Sequence, residues 1–179
     1  SFLVTDLSIV EKQIMKWNKE LPMVKAYYAV KCNPDPVVLR LLGHHNINFD
    51  CATRGEMQLV NSLNLPQFNA KERIIWANPA KMRSHINYAH SHGIRTTVFD
   101  SIDELKKLST ISIGKDLRLL IRISTDDSQS VCKFSNKFGC SAITEAPSLL
   151  RVAASLGLTV VGVCFHVGSG CGDAQAYTT

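Results

Sequence analysis

A lysine stands where an apolar, β-prone run gives way to turn chemistry, in Tyr27-Tyr28-Ala29-Val30-Lys31-Cys32-Asn33. Residues 26–30 read as a strand, and Asn33-Pro34-Asp35-Pro36 as a turn that opens a helix. A lysine at that junction is held by a sheet but points out of the strand end, where parallel α/β folds place catalytic groups. Taken alone, a solvated lysine at a strand terminus is the better reading. Phe49-Asp50-Cys51-Ala52-Thr53-Arg54-Gly55-Glu56 then sets two carboxylates at and just beyond a second strand end. Either Asp50 or Glu56 is placed to pair with Lys31, orienting the ammonium and tuning its pKa. Glu56 is equally the acidic residue that a helix favours in its first turn. Arg122 is the one charge inside the apolar run 119–124, and a buried guanidinium there needs an anionic partner, either a ligand or a carboxylate. Phe165-His166-Val167-Gly168-Ser169-Gly170 ends another strand with an imidazole, a hydroxyl and two permissive glycines. That turn would let backbone N–H groups approach a phosphate, although Gly-Ser turns are common.

Strand and helix signals alternate around these residues. Strand-like runs occur at 26–30, 46–51, 73–77, 95–99, 117–123 and 159–166. Helical patterns occupy 7–19, 36–44, 54–63, 81–92, 102–109 and 145–156, the first capped by Asp6 or Ser8. Such alternation describes a parallel sheet with helical crossovers. The run Thr159–Phe165 is almost wholly apolar, as expected of a strand covered on both faces. Polar residues follow the strands at Lys31, Asp50, Asn78, Asp100, Arg122 and His166. A doubly wound sheet would divide them between the two sides of a switch point, whereas a barrel gathers them at one mouth, so the pattern favours a TIM-type (β/α)8 barrel. A complete barrel takes about 250 residues and eight strands. The expectation is therefore a partial barrel of about six βα units spanning 1–179.

The chain of 179 residues is long enough for a sizeable core. No run approaches the ~18 consecutive apolar residues of a membrane span, and Ser1–Asp6 lacks the features of a signal peptide. The net charge of +5 is spread along the chain without a basic tract, which does not argue for nucleic acid. Six cysteines (Cys32, Cys51, Cys132, Cys140, Cys164, Cys171) show neither C-x-x-C pairs nor zinc-finger spacing. They suit reduced thiols in a cytoplasmic protein, with no metal expected.

The segments YYAVKCN, NFDCATRGE, IIWANPAK, LLIRISTDDS, KFGC and GVCFHVGSG resemble the eukaryotic ornithine decarboxylases, in the same order and at similar spacing. The resemblance covers nearly the whole chain. It implies an alanine-racemase-like barrel followed by a β-domain, pyridoxal 5'-phosphate as cofactor, L-ornithine as substrate, and a head-to-tail homodimer with shared active sites. It identifies Lys31 as the lysine that bonds the cofactor, and Asp50 and Glu56 as the acidic residues around it. It likewise implies that Arg122 is the barrel arginine near the cofactor, His166 the imidazole stacked on its ring, and Ser169 a phosphate ligand. Thr125 to Phe138 resembles the family's mobile active-site loop, with Lys137 meeting the partner subunit.

The resemblance also implies that a glycine-rich phosphate loop, an acidic partner for the pyridine nitrogen and the C-terminal β-domain lie beyond Thr179, and that the 179 residues alone are inactive. Ala80 stands where the family usually has cysteine, a small-for-small departure. In the animal enzymes the region matching 81–104 binds the regulatory protein antizyme. Here it keeps Lys81, Arg83, His85, His90, His92 and Arg95, a positive face suited to an acidic partner, or simply a solvated helix. Three other readings remain: a decarboxylase of lysine, arginine or diaminopimelate; an inactive antizyme-inhibitor homologue; and a single-domain pyridoxal-phosphate-binding barrel. Retention of Lys31, Asp50, Glu56, Arg122, His166 and Ser169 speaks against the second, and Phe2–Leu7, which resembles a crossing from a β-domain, against the third.

Overall fold

The computed structural model describes residues 4–111 and 116–177, so Phe2 and Leu3 of the expected crossing lie outside the described residues. The chain forms two compact units: residues 1–77 with 84–95, and residues 78–83 with 96–179.

In the first unit, α1 (Leu7–Glu20) begins where Asp6 Oδ1 accepts the Ser8 N–H at 2.9 Å. Strand β1 (Tyr27–Ala29) runs straight into a single 3-10 turn, Val30–Cys32. Asp35 caps α2 (Pro36–His44), with a proline in the first turn where its missing N–H costs nothing. Strand β2 (Asn48–Cys51), α3 (Arg54–Ser62), the short α4 (Ala70–Arg73), β3 (Ile74–Trp76) and α5 (Arg83–Ser91) follow. Strands β1, β2 and β3 pair in parallel, with Ala29 opposite Asp50 and Asp50 opposite Ile75. Val30, Leu39, Phe49, Met57 and Ile74 are fully buried between sheet and helices. Each such side chain contributes about 1.5–3 kcal/mol by leaving water.

In the second unit, β4 (Thr96–Phe99), β5 (Arg118–Arg122) and β7 (Thr159–Cys164) form another parallel set. Helices α6 (Ile102–Ser109) and α7 (Ala146–Ser155) supply the crossovers. Phe99, Leu105, Leu108, Leu119 and Ala153 are its fully buried core. Two short strands, β6 (Ser130–Cys132) and β8 (Ser169–Cys171), pair antiparallel apart from the main strands. They escaped the sequence reading because three residues, with a glycine in one strand, carry no periodicity.

All six expected strands and all six expected helices are present. One expectation fails: β7 is not covered on both faces, since Val161 is 46% and Val163 59% exposed. An apolar run reports that both faces of a strand are apolar, but not what lies against each. No helix among the described residues is long and apolar enough to cross a membrane.

Candidate active site

Lys31 lies on the 3-10 turn, between fully buried Val30 and a tightly bonded turn. There Asn33 Oδ1 accepts the Asp35 N–H at 3.1 Å, and Asp35 Oδ1 accepts the Val37 N–H at 2.8 Å. The backbone at Lys31 is thus held from both sides while the residue is exposed. Among the described residues no carboxylate pairs with its ammonium. Asp50, half-buried, occupies the register position beside Ala29.

The expected pairing of Glu56 with Lys31 does not form. Glu56 Oε2 accepts the Ala52 N–H at 2.7 Å, and Thr53 Oγ1 accepts the Glu56 N–H at 3.2 Å. This reciprocal cap satisfies donors at the start of α3. The Trp76 indole N–H reaches the Ala52 carbonyl at 3.3 Å, so both backbone groups of Ala52 are engaged and the turn after β2 is rigid. Burial, reinforced by the charges of Glu56 and Asp50, pushes the Cys51 thiol far up, which keeps it protonated and unreactive.

In the second unit, Arg122 ends β5 half-buried, its guanidinium carbon 4.8 Å from the centre of the Phe138 ring. No carboxylate among the described residues pairs with it, which leaves the ligand as the remaining expected partner. Asp100, just after β4, fixes this arrangement: its Oδ2 accepts the Gly139 N–H at 2.9 Å. Gly139 has φ +93°, and a Cβ there would fall 2.6 Å from the Ile123 carbonyl carbon, so only glycine lets the KFGC segment lie against the end of β5. Cys140 completes the contact, donating its N–H to the Arg122 carbonyl at 3.0 Å and accepting from the Ser124 N–H at 2.9 Å.

His166 is exposed just beyond β7, and its Nδ1 accepts the Gly168 N–H at 2.8 Å. An accepting Nδ1 leaves the proton of the neutral ring on Nε2. The Phe134 ring packs against it, centroids 4.8 Å apart and planes tilted by 58°. Ser169 is exposed at the start of β8. Within the turn expected to admit a phosphate, the Gly168 N–H already serves His166, and a Cβ on Gly168 would strike Ser130 Cβ at 2.4 Å. Its role is close packing. The stretch 125–138 is built by Asp127, which sequence reasoning missed and which accepts three hydrogen bonds from residues 134–135. Lys137 is exposed within it.

Lys81 overturns part of the basic-face expectation. It is only 5% exposed. Its Nζ donates to the carbonyls of Val98 (2.6 Å) and Asn78 (3.0 Å) and lies 3.0 Å from Glu104 Oε1. Lys107 pairs with the same carboxylate and donates to the Lys81 carbonyl. Burial pulls the Lys81 ammonium down to about 8, against the opposing pull of Glu104. A lysine inside a helical pattern reads as solvated; only the tertiary contact with α6 reveals otherwise.

Each unit carries polar groups beyond its parallel strands: in the first an exposed lysine, in the second a half-buried arginine and an exposed imidazole, the lysine and the arginine without a carboxylate partner among the described residues; residue types of this kind suit cofactor binding. The chain belongs to the pyridoxal-dependent decarboxylase family, whose pyridoxal binding domain matches residues 7–179. It is similar to ornithine decarboxylase of Schizosaccharomyces pombe, 46% identical over 177 residues, which are 99% of this chain and 39% of that protein. It is similar in structure to the arginine decarboxylase of Paramecium bursaria Chlorella virus bound to agmatine, with a TM-score of 0.88 and 36% identity over 95% of this chain and 44% of that one. A lysine/ornithine decarboxylase from Vibrio vulnificus complexed with cadaverine follows at a TM-score of 0.83 and 32% identity, over 96% of this chain and 43% of that one. The fold is accordingly the alanine-racemase-like α/β barrel of these decarboxylases, in part, and the family's cofactor is pyridoxal phosphate. The chain spans about two fifths of the length of these relatives.

Proposed function

We propose that this chain is the cofactor-binding part of a cytoplasmic, homodimeric carboxy-lyase that converts L-ornithine to putrescine and CO2 in polyamine biosynthesis. The observation that carries the reading is Lys31: an exposed primary amine on an immobilised turn at a strand end, without a carboxylate partner among the described residues, in the pyridoxal binding domain of the family. Pyridoxal phosphate, when bound, supplies an electron sink for the carbanion left by departing CO2. The residues fit that group. Lys31 holds it through its amine, and Arg122 offers an anionic group a guanidinium charge that no carboxylate among the described residues neutralises. Ser169 offers a hydroxyl to the phosphate. His166, with its proton on Nε2, presents a flat ring to the pyridine face. Asp50 orients the cofactor-binding amine, while Glu56 acts through the Ala52 turn. Lys137 lies at the dimer contact.

The likeness to the viral arginine decarboxylase and the Vibrio lysine/ornithine decarboxylase supports a second reading, in which another basic amino acid is the substrate. Antizyme binding through 81–104 would have to do without the buried Lys81, relying on the exposed Arg83 and His92 and the half-buried His85, His90 and Arg95.

The full-length protein tests both readings. Borohydride reduction with pyridoxal phosphate, followed by peptide mapping, should place the label on Lys31; label on Lys81 or Lys137 refutes the assignment. Comparing kcat/KM for ornithine, lysine and arginine ranks the substrates, and a preference for either of the latter two overturns ornithine.

A further inference from the structure

Asp127 is 4% exposed, and no cation among the described residues pairs with it. A carboxylate this buried persists only if hydrogen bonds replace the water it lost. Three do. Oδ2 accepts the Phe134 N–H at 2.5 Å and the Ser135 N–H at 2.9 Å, and Oδ1 accepts the Ser135 hydroxyl at 2.5 Å. The two consecutive N–H groups form a small anion nest that the chain fills with its own carboxylate. Between the ends of this clasp, β6 pairs with β8, and the Ser130 hydroxyl donates to the Val167 carbonyl at 2.5 Å. Gly168 leaves room for that contact. On the far side, Phe134 meets His166, whose backbone carbonyl accepts the Thr125 hydroxyl at 3.1 Å.

We propose that Asp127 is a positioning residue for His166: its clasp draws residues 134–135 inward and sets the Phe134 ring against the imidazole, fixing how that ring is presented to a ligand. The ring is then fixed twice, by the Gly168 N–H on Nδ1 and by Phe134 on its flank. Asp127 never touches the ligand; it acts through Phe134. The clasp involves only residues outside β4, β5 and β7, so its loss leaves the parallel strands intact. The consequence for pyridoxal phosphate rests on the placement of His166 argued above, but the clasp itself does not.

The test uses the full-length protein and the variants Asp127→Ala, Phe134→Leu, Phe134→Ala and the Asp127→Ala/Phe134→Ala double. In the cofactor-free protein, hydrogen exchange over 128–137 should quicken about tenfold or more in Asp127→Ala and stay unchanged in β4 and β5. With ring-labelled histidine, the His166 resonance should shift in Asp127→Ala and in Phe134→Leu, because both remove the aromatic ring from its flank. Pyridoxal phosphate affinity should fall by about the same factor in Asp127→Ala and Phe134→Ala, and no further in the double variant. Unchanged exchange over 128–137, an unmoved His166 resonance in Asp127→Ala, or a double variant in which the two losses multiply would each overturn the proposal. Phe134→Leu leaves the carboxylate in place and keeps the test open if Asp127→Ala fails to fold. Wild-type protein that does not bind pyridoxal phosphate would refute the functional reading, while the exchange and resonance measurements would still judge the clasp.

Discussion

Replacing Lys81 by methionine separates a buried structural cation from a solvated one. The Lys81 ammonium meets the Val98 and Asn78 carbonyls and the Glu104 carboxylate, and Glu104 is itself only 3% exposed. Lys81→Met keeps most of the side-chain volume but removes every donor. Among the described residues Glu104 would then retain Lys107 as its one cation, and the carbonyls would lose the Lys81 donor. Breaking a buried pair by removing one member costs about 3–5 kcal/mol. Arg83, exposed and bonded to the Thr110 hydroxyl at 3.1 Å, should cost less than about 1 kcal/mol when changed to alanine. Urea unfolding of the full-length apoprotein measures both, and a pH series adds a second signature. Because the folded Lys81 ammonium titrates near 8 rather than 10.5, the unfolded chain holds a proton there that the folded chain has released. Stability should therefore rise with pH through that window in wild type, with no such rise in Lys81→Met. At about 1.4 kcal/mol per pKa unit the rise amounts to roughly 3.5 kcal/mol. A Lys81→Met loss below about 1 kcal/mol, comparable with Arg83→Ala, would refute the buried-network reasoning.

Gly139→Ala should destabilise by about 1–2 kcal/mol from its left-handed backbone alone, and the 2.6 Å overlap with Ile123 should shift Phe138 away from Arg122 and weaken cofactor affinity; equilibrium unfolding and a cofactor titration check this. His166→Phe should keep much of the cofactor affinity and His166→Ala lose more, because only phenylalanine preserves a ring face. Equal losses of turnover of roughly 10²–10⁴ with intact cofactor binding would instead make His166 a general acid or base. The Ser135 hydroxyl and N–H, followed by the Phe134 N–H, hold the Asp127 carboxyl down to about 2. Its stabilising contribution is thus fully present above the ordinary aspartate range and fades as pH falls through about 2; loss of loop exchange protection at pH 5 would contradict it.

Local chemistry made the elements legible from sequence alone. Asp6 and Asp35 mark helix starts, apolar spacing marks helix faces, and turn residues after Val30 place Lys31 at a strand end. Each signal operates within a few residues, where propensity and capping act directly on the backbone. What the sequence left open is decided by partners far along the chain. Val98 lies 17 residues from Lys81 and Glu104 lies 23, and their approach turns an apparent surface cation into a buried one. Asp100 reaches Gly139 across 39 positions, and Ser130 reaches the Val167 carbonyl across 37. The choice of Glu56 between Lys31 and the Ala52 N–H was local in distance but not in pattern, since both outcomes suit a first-turn glutamate. Residue type announces what a side chain is able to bond. Which partner it meets, and whether water is excluded from the pair, depends on how the strands and loops are brought together, and that is settled only when the chain has folded.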